Sequence, residues 1–95
     1  MIKVVAKNWI KEAYMQDLLD LCKELIEVTH KEKGCISYEM YQDESDECIL
    51  TMIETWASKE DLDSHLQSDH FKRLAPKFAN MLKRETEMNI YTKIL

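Results

Sequence analysis

The stretch CISYEMYQDESDECILTMIETW, residues 35–56, holds two apolar segments separated by a polar tract. Residues 35–42 and 48–56 are short and rich in β-branched and aromatic side chains, which is typical of strands. Between them, the tract DESDE at 43–47 has the composition of a turn. The stretch therefore predicts a β-hairpin made of two consecutive strands.

A strand and a long helix are predicted before this hairpin. Residues 2–9, IKVVAKNW, are too few for a stable helix and predict a strand. From Glu12 to about Lys33, apolar residues recur at steps of three and four, which indicates an amphipathic helix. Its apolar side consists of Met15, Leu18, Leu19, Cys22, Leu25, Ile26 and Thr29. Gly34, the only glycine, is expected to cap the C-terminus of this helix.

Two shorter helices and a last strand are predicted after the hairpin. Ser58 to Asp61 resembles a capping box, with Asp in place of Glu, and should begin a short helix. The next helix contains Pro76, which is expected to kink or restart it because proline removes a helical hydrogen bond. Its apolar face carries Phe71, Leu74, Ala75, Phe78 and Leu82. Residues 86–95, TEMNIYTKIL, predict a fourth strand.

The element order β-α-β-β-α-β predicts an α+β, ferredoxin-like fold with an antiparallel sheet, in one domain spanning residues 1–95. The third and fourth strands carry apolar residues at both parities, whereas two helices can cover only one face of the sheet. The other face needs a partner, and a second copy of the same chain is the simplest one. We therefore expect a homodimer.

Composition limits the function classes. Thirteen basic and eighteen acidic residues give a net charge of −5, which argues against a nucleic-acid partner because phosphates require clustered Lys and Arg. No run approaches the roughly 18 apolar residues of a membrane helix, and the N-terminal residues do not resemble a signal peptide. We expect a cytoplasmic protein that does not enter the membrane. Cys22, Cys35 and Cys48 form no CxxC motif, so we expect buried, reduced thiols and neither a disulfide scaffold nor a zinc site.

Two polar residues share a strand parity with apolar neighbours. Asn8 has the parity of Val4 and Ala6, and Glu54 has that of Met52. A carboxyl group in apolar surroundings has a raised pKa, which suits a general acid or base. The alternative is that Glu54 pairs with a lysine near the end of its strand.

His65 and His70 fall around the junction of the two short helices. Five residues apart, they do not share a face of one continuous helix, so metal ligation is not predicted, although a break near Ser68 could bring them together. A histidine in a pocket titrates near neutrality and can move a proton, whereas a purely packed histidine is the alternative. His30 lies near the C-terminal end of the long helix, where a cation is favourable.

Aromatic side chains could line a cavity for a flat ring, or they could simply fill the core. They are Trp9, Tyr38, Tyr41, Trp56, Phe71 and Phe78. The sequence has no glycine-rich phosphate loop and no flavin or nicotinamide fingerprint. We therefore expect no cofactor.

Residues 47–74, ECILTMIETWASKEDLDSHLQSDHFKRL, resemble the antibiotic biosynthesis monooxygenase family. The features are E-x-W at Glu54 to Trp56 and H-L-x-[ST]-x-H at His65 to His70. The segments KEKGCISYEMY, at 31–41, and NIYTKIL at the C-terminus are also similar, so the resemblance covers essentially the whole chain. It is greatest to the small bacterial quinol monooxygenase type.

This resemblance implies a dimeric α/β-barrel, in which the sheets of two ferredoxin-like subunits join and each subunit has a pocket between sheet and helices. It implies oxidation of a quinol or a polycyclic phenol by O₂ without metal or flavin. With the residues singled out above, it leads us to expect catalytic roles for His65, Asn8 and Glu54. Substrate contacts are expected from Trp56, His70, Phe71, Tyr38 and Phe78.

Two related groups suggest other activities. The haem-degrading branch resembles this chain at Asn8, but its pocket tryptophan falls at His65 and its haem-ligating histidine near Ala75, so haem is not expected. An isomerase of a phosphorylated signalling sugar shares a histidine at both short-helix positions. Cofactor-free isomerisation of a small sugar phosphate is therefore one alternative, and a non-catalytic ligand-binding dimer is another.

Overall fold

The computed structural model describes all 95 residues, and its elements follow the predicted order. They are β1 (Ile2–Trp9), α1 (Met15–Thr29), β2 (Cys35–Gln42), β3 (Ile49–Trp56), α2 (Lys59–Leu66), α3 (Asp69–Phe78) and β4 (Glu87–Thr92). Short 3₁₀ helices, Glu12–Tyr14 and Ala79–Met81, precede α1 and follow α3. The predicted hairpin of β2 and β3 and the α+β, ferredoxin-like class are confirmed.

The four strands form one antiparallel sheet in the order β2-β3-β1-β4. In β1, Val4 and Ala6 are buried and point toward the helices, where they meet Leu25 of α1, Leu62 of α2 and Leu74 of α3. Side chains alternate between the faces of a strand, so this core lies on one face of the sheet. The cavity described below lies on the same face.

The long helix ends earlier than the periodicity predicts. α1 stops at Thr29, with His30 as its C-terminal cap, and residues 30–34 form a turn. The expectation that Gly34 caps the helix is wrong. Gly34 has φ +81°, which serves the entry to β2, and a Cβ there would overlap the Asp61 carboxyl group. The turn after the helix thus passes close to the N-terminus of α2.

Pro76 does not interrupt its helix, contrary to expectation, because α3 continues to Phe78. A proline near a helix end removes only one hydrogen bond close to the point where the bonds cease. Leu82 lies beyond the helix and forms a bridge with Ile10.

The last strand is shorter than predicted. β4 pairs only with β1, and Thr92 lies opposite Ile2 at the very start of that strand. Residues 93–95 therefore have no strand partner, and β4 ends at Thr92.

The sheet face turned away from the helices carries exposed and half-buried apolar groups. Tyr41 and Tyr91 are exposed, and Val5 and Ile53, which lie opposite each other, are half-buried. All six residues of the edge strand β4 are exposed. No helix in the structure has the length and apolarity that crossing a membrane requires.

Candidate active site

A cavity of about 630 Å³ lies between the sheet and the helices. Sixteen of its 22 lining residues are hydrophobic, so it suits a ligand that is mainly apolar. The sheet supplies Val4, Ala6 and Met52, α1 supplies Leu25, and α3 supplies Phe71 and Phe78. The few polar side chains of the lining are therefore the candidates for catalytic groups.

Glu54 is the carboxyl group on the sheet wall of this cavity. Its side chain is only 6% exposed because β3 directs it toward the helices, between Val4 of β1 and Tyr38 of β2. Burial raises the pKa of Glu54 to about 7, although a hydrogen bond from Trp56 Nε1 to Glu54 Oε1, at 2.9 Å, acts in the opposite direction. Glu54 belongs to no ion pair, so the alternative of a lysine partner is wrong. A carboxyl group with this pKa can gain or lose a proton near neutrality.

His65 faces the cavity from α2 and is 1% exposed. Three rings surround the imidazole, with centroid distances of 4.8 Å to Trp56, 4.9 Å to Phe71 and 5.2 Å to Tyr38. Its Nδ1 lies 2.6 Å from Glu32 Oε2. Burial lowers the pKa of His65, while the hydrogen bond to Glu32 acts in the opposite direction. Burial thus favours the neutral imidazole, which can accept a proton from a ligand.

Glu32 also joins His65 to His70. The same Oε2 atom lies 2.8 Å from His70 Nε2. The break between α2 and α3, where Ser68 caps α3 through a hydrogen bond from the backbone N–H of Phe71, turns His70 toward the carboxylate. The expectation that a break near Ser68 brings the two histidines together is confirmed, with ring centroids 6.0 Å apart. Sequence reasoning missed Glu32, which lies in a turn and has no periodic partner.

A shared metal ion is one possible ligand of this cluster, because the ligand atoms of Glu32, His65 and His70 lie within 4.8 Å of one another. Two ligands of one tetrahedral zinc ion, each about 2.0–2.1 Å from it, stand roughly 3.3 Å apart. Here the carboxylate oxygen lies 2.6 Å and 2.8 Å from the two ring nitrogens, which are hydrogen-bond distances. In this structure the three groups are therefore joined to each other by hydrogen bonds.

Asn8 lines the cavity at the far end of β1, but its amide is already engaged. Its Nδ2 donates to the carbonyl oxygens of Ala6 and Leu50, both at 3.2 Å, and its Oδ1 accepts from Thr86 Oγ1 at 2.6 Å. Thr86, Arg84 and their neighbours line the cavity before β4 begins. Asn8 therefore ties this segment to the sheet and sets the shape of the cavity rim.

The remaining expected site residues divide into two groups. Tyr38, Phe71 and Phe78 line the cavity, and burial together with the nearby Glu54 carboxyl group raises the pKa of the Tyr38 hydroxyl. Trp56 and His70, from which substrate contacts were also expected, are not among the residues that line it. Trp56 is fully buried and holds Glu54, and His70 holds Glu32.

Several smaller expectations also have outcomes. Trp9 and Tyr41 do not line the cavity, and Trp9 packs instead against the Arg84 guanidinium at 4.0 Å. All three cysteines are free, but only Cys22 is buried. Ala75 lines the cavity, and its methyl side chain offers no ligand for a haem iron.

Comparison with known proteins gives consistent matches. The sequence model of the family described as antibiotic biosynthesis monooxygenase matches residues 1–77. An uncharacterized protein of Synechocystis sp. is 33% identical over 89 residues, which are 93% of this chain, and the chain spans 60% of the length of that relative.

Two solved structures match throughout. A conserved protein from Methanosarcina mazei Go1 is 49% identical with a TM-score of 0.97, over 98% of this chain and 92% of that one. A crystal structure described as an antibiotic biosynthesis monooxygenase is 29% identical with a TM-score of 0.95, over all of both chains.

Proposed function

Because the chain belongs to the antibiotic biosynthesis monooxygenase family, we propose that its cavity binds a quinol or a polycyclic phenol, which the protein oxidises with O₂ without metal or flavin. The observation that carries this proposal is the pair of groups, Glu54 and His65, that face one apolar cavity. Burial moves the pKa of the first upward, to about 7, and that of the second downward. Glu54 can therefore exchange a proton near neutrality, and burial keeps His65 in the neutral form that accepts one, as an oxidation of this kind needs.

The cavity suits such a substrate in size and in lining. Its volume of about 630 Å³ falls within the roughly 300–1,000 Å³ typical of small-molecule sites. Phe71 and Phe78 offer flat surfaces for a fused-ring substrate, while Tyr38 adds a hydroxyl group beside Glu54. A ligand with apolar rings and one or two hydroxyl groups would match both the walls and the polar end.

The proposed reaction balances without an external reductant. A base removes a hydroxyl proton, and the resulting phenolate gives one electron to O₂. The semiquinone radical and superoxide then join through a new C–O bond, and the resulting peroxide anion takes the proton back from the base to become a hydroperoxide. The base next removes the ring proton while hydroxide leaves, which breaks the O–O bond and forms a carbonyl group. The ring proton then passes from the base to the hydroxide to give water. For a hydroquinone, the sum is hydroquinone plus O₂ to hydroxyquinone plus water, so all electrons come from the substrate.

His65 and Glu54 have different roles in this reaction. His65, neutral because burial lowers its pKa, takes the hydroxyl proton and returns it to the peroxide, and then carries the ring proton to the departing hydroxide. Glu54, protonated up to a pH of about 7, donates a hydrogen bond to the oxygen that becomes negative. The apolar walls keep water from both groups, which strengthens these interactions.

The experiment is oxygen uptake with a panel of substrates. Purified protein is mixed with a naphthalene-type quinol, an anthrone and a simple catechol, with heat-denatured protein as the control for spontaneous oxidation. We expect uptake above that control with at least one fused-ring substrate, and one ¹⁸O atom in the product when ¹⁸O₂ is used. Release of hydrogen peroxide with no labelled product would overturn oxygen insertion.

The two alternatives are outcomes of the same experiment. A sugar phosphate needs clustered phosphate-binding groups, and Arg84 is the only Lys or Arg in the cavity lining, so the structure favours the phenol. Conversion of a sugar phosphate without oxygen uptake would contradict the proposal. Saturable binding of quinols with no turnover of any of them would instead support a binding protein.

We further propose that the protein is a homodimer in the cytoplasm. The apolar groups on the outer sheet face, including Tyr41, Val5 and Ile53, support pairing with a second copy. The three free cysteines suit a reducing compartment. Sedimentation equilibrium at micromolar concentration should give the mass of two chains, and Ile53→Lys should lower it to that of one. A wild-type mass of one chain would contradict the proposal.

A further inference from the structure

Glu32 occupies a turn that the fold holds in place from two sides. Gly34 takes a backbone conformation with φ +81° and packs against the carboxyl group of Asp61 at the start of α2. The N–H of Ala57 donates to the carbonyl oxygen of Gly34 at 2.8 Å. These contacts fix residues 30–34 against the end of β3 and the first turn of α2. The carboxylate of Glu32 is thereby kept within hydrogen-bond distance of His65 Nδ1.

The hydrogen bonds of Glu32 determine which nitrogen of His65 carries the proton. A carboxylate can only accept hydrogen bonds, so the short contact from His65 Nδ1 to Oε2 requires the hydrogen on Nδ1. His70 Nε2 contacts the same oxygen at 2.8 Å and must likewise donate to it. The second histidine therefore anchors the same carboxylate oxygen.

The other nitrogen of His65 is left for a ligand. Nε2 has no hydrogen-bond partner in the protein, and no fully buried side-chain nitrogen or oxygen lacks one. The Nε2 atom therefore keeps accessible surface, and His65 is a cavity-lining residue. In the neutral imidazole with hydrogen on Nδ1, this Nε2 carries the lone pair.

We propose that Glu32 is the positioning residue of a carboxylate–histidine pair. It holds His65 with its basic Nε2 toward the cavity, and it stabilises the imidazolium that forms when a substrate hydroxyl gives up its proton. His70 acts one step further away, by fixing Glu32. This role rests on the proposed function for its chemical step, but the arrangement of protons in the free protein does not. A carboxylate that orients a catalytic histidine has a large effect on the rate because it selects the tautomer and offsets the developing charge.

The proton follows a closed path in this scheme. It leaves the substrate hydroxyl for His65 Nε2, and the positive ring is paired with Glu32 at 2.6 Å. It then returns from Nε2 to the peroxide anion, giving the hydroperoxide, and Nε2 next carries the ring proton to the leaving hydroxide, giving water. Glu32 keeps its negative charge throughout and exchanges no atom with the substrate.

The first experiment measures the tautomer without any substrate. Protein labelled with ¹⁵N should show His65 with a protonated Nδ1 and an unprotonated Nε2, and the Nδ1 proton should lie far downfield because its bond is charge-assisted. In Glu32→Gln this resonance should move upfield, since a neutral carboxamide is the weaker acceptor. Glu24→Gln is the matched control, because Glu24 pairs with Arg73 on the surface. A wild-type His65 with its proton on Nε2 would overturn the proposal.

The second experiment uses the oxygen assay. Glu32→Gln should lower kcat about a hundred-fold or more with little change in KM, Glu32→Asp should recover part of the loss, and Glu24→Gln should equal the wild type. If the wild type turns over and Glu32→Gln matches it, the positioning role is wrong while the proposed function stands. If no substrate is oxidised but the tautomer and its dependence on Glu32 are found, the proposed function fails and the positioning role is supported.

Discussion

The cavity has two ends that differ in burial, although the same strand β1 runs past both. At the buried end, Val4 lies beside Glu54, with Tyr38 and His65 close by, and burial shifts the pKa of all three titratable groups. At the exposed end, four residues further along β1, or about 13 Å at the rise of a strand, Asn8 meets the exposed Thr86. The polar groups there are neutral amides and hydroxyls, or charges open to water.

This difference shows how one apolar cavity can separate chemistry from binding. Desolvation changes a pKa only where water is excluded, so the proposed function assigns proton transfer to the end with Glu54 and His65. At the exposed end, hydrogen bonds hold Asn8 and Thr86 together, and the proposed function assigns that end to substrate binding. Substitutions at the buried end should therefore change rate and stability, and those at the exposed end should change substrate binding.

The largest expected effect is at His65. His65→Gln keeps a polar side chain of similar size but removes the base, and kcat in the oxygen assay should fall about a hundred-fold or more. His30→Gln is the control, because that residue caps α1 and contacts the Tyr38 carbonyl oxygen rather than the cavity. If the two variants had equal kcat, His65 would have only a packing role, and the buried end of the cavity would not be the site of proton transfer.

A second, smaller effect concerns stability and pH at Glu54. Its folded pKa, about 7, lies above the ordinary value of 4.5, so folding favours the protonated form. The contribution to stability is complete below about pH 4.5 and is lost as pH rises through 7. The loss approaches about 3 kcal/mol, since one pKa unit corresponds to about 1.4 kcal/mol. Glu54→Gln cannot ionise and should not show this loss.

The measurement is urea unfolding of both proteins between pH 5 and pH 8.5. The stability of Glu54→Gln relative to the wild type should increase by up to about 3 kcal/mol across this range. Thr51→Val, on the other face of the same strand, removes no titrating group and should run parallel to the wild type. Parallel curves for Glu54→Gln as well would show that the carboxyl group is not desolvated.

The smallest effect is expected at the exposed end. Thr86→Val keeps the shape of the side chain but removes the hydrogen bond to Asn8 Oδ1, worth about 1 kcal/mol. KM should rise a few-fold while kcat stays within twofold, as measured by initial rates of oxygen uptake. Thr92→Val at the end of β4 is the control and should change neither. A fall in kcat as large as that of His65→Gln would mean that both ends take part in the chemistry.

Local sequence patterns were enough to predict the order of the elements and the most informative polar positions. β1 and β2 have the predicted bounds, because a short β-branched or aromatic segment between turn residues is a local signal. Glu54 stood out for the same reason, since alternation along a strand places it among apolar side chains. His65 is indicated by its place at the junction of two short helices and by the E-x-W…H pattern that it shares with Glu54 and Trp56.

The way in which these residues contact one another depends on the tertiary structure. Glu32 is 33 positions from His65 and 38 from His70, and no local period relates a turn residue to side chains on two later helices. A substrate contact was expected from Trp56, whereas its indole N–H donates a hydrogen bond to Glu54 inside the core. Local patterns tell which face of a strand or helix a residue occupies. Which partner it meets there depends on how the elements pack, because contacts between distant segments form only when the chain folds.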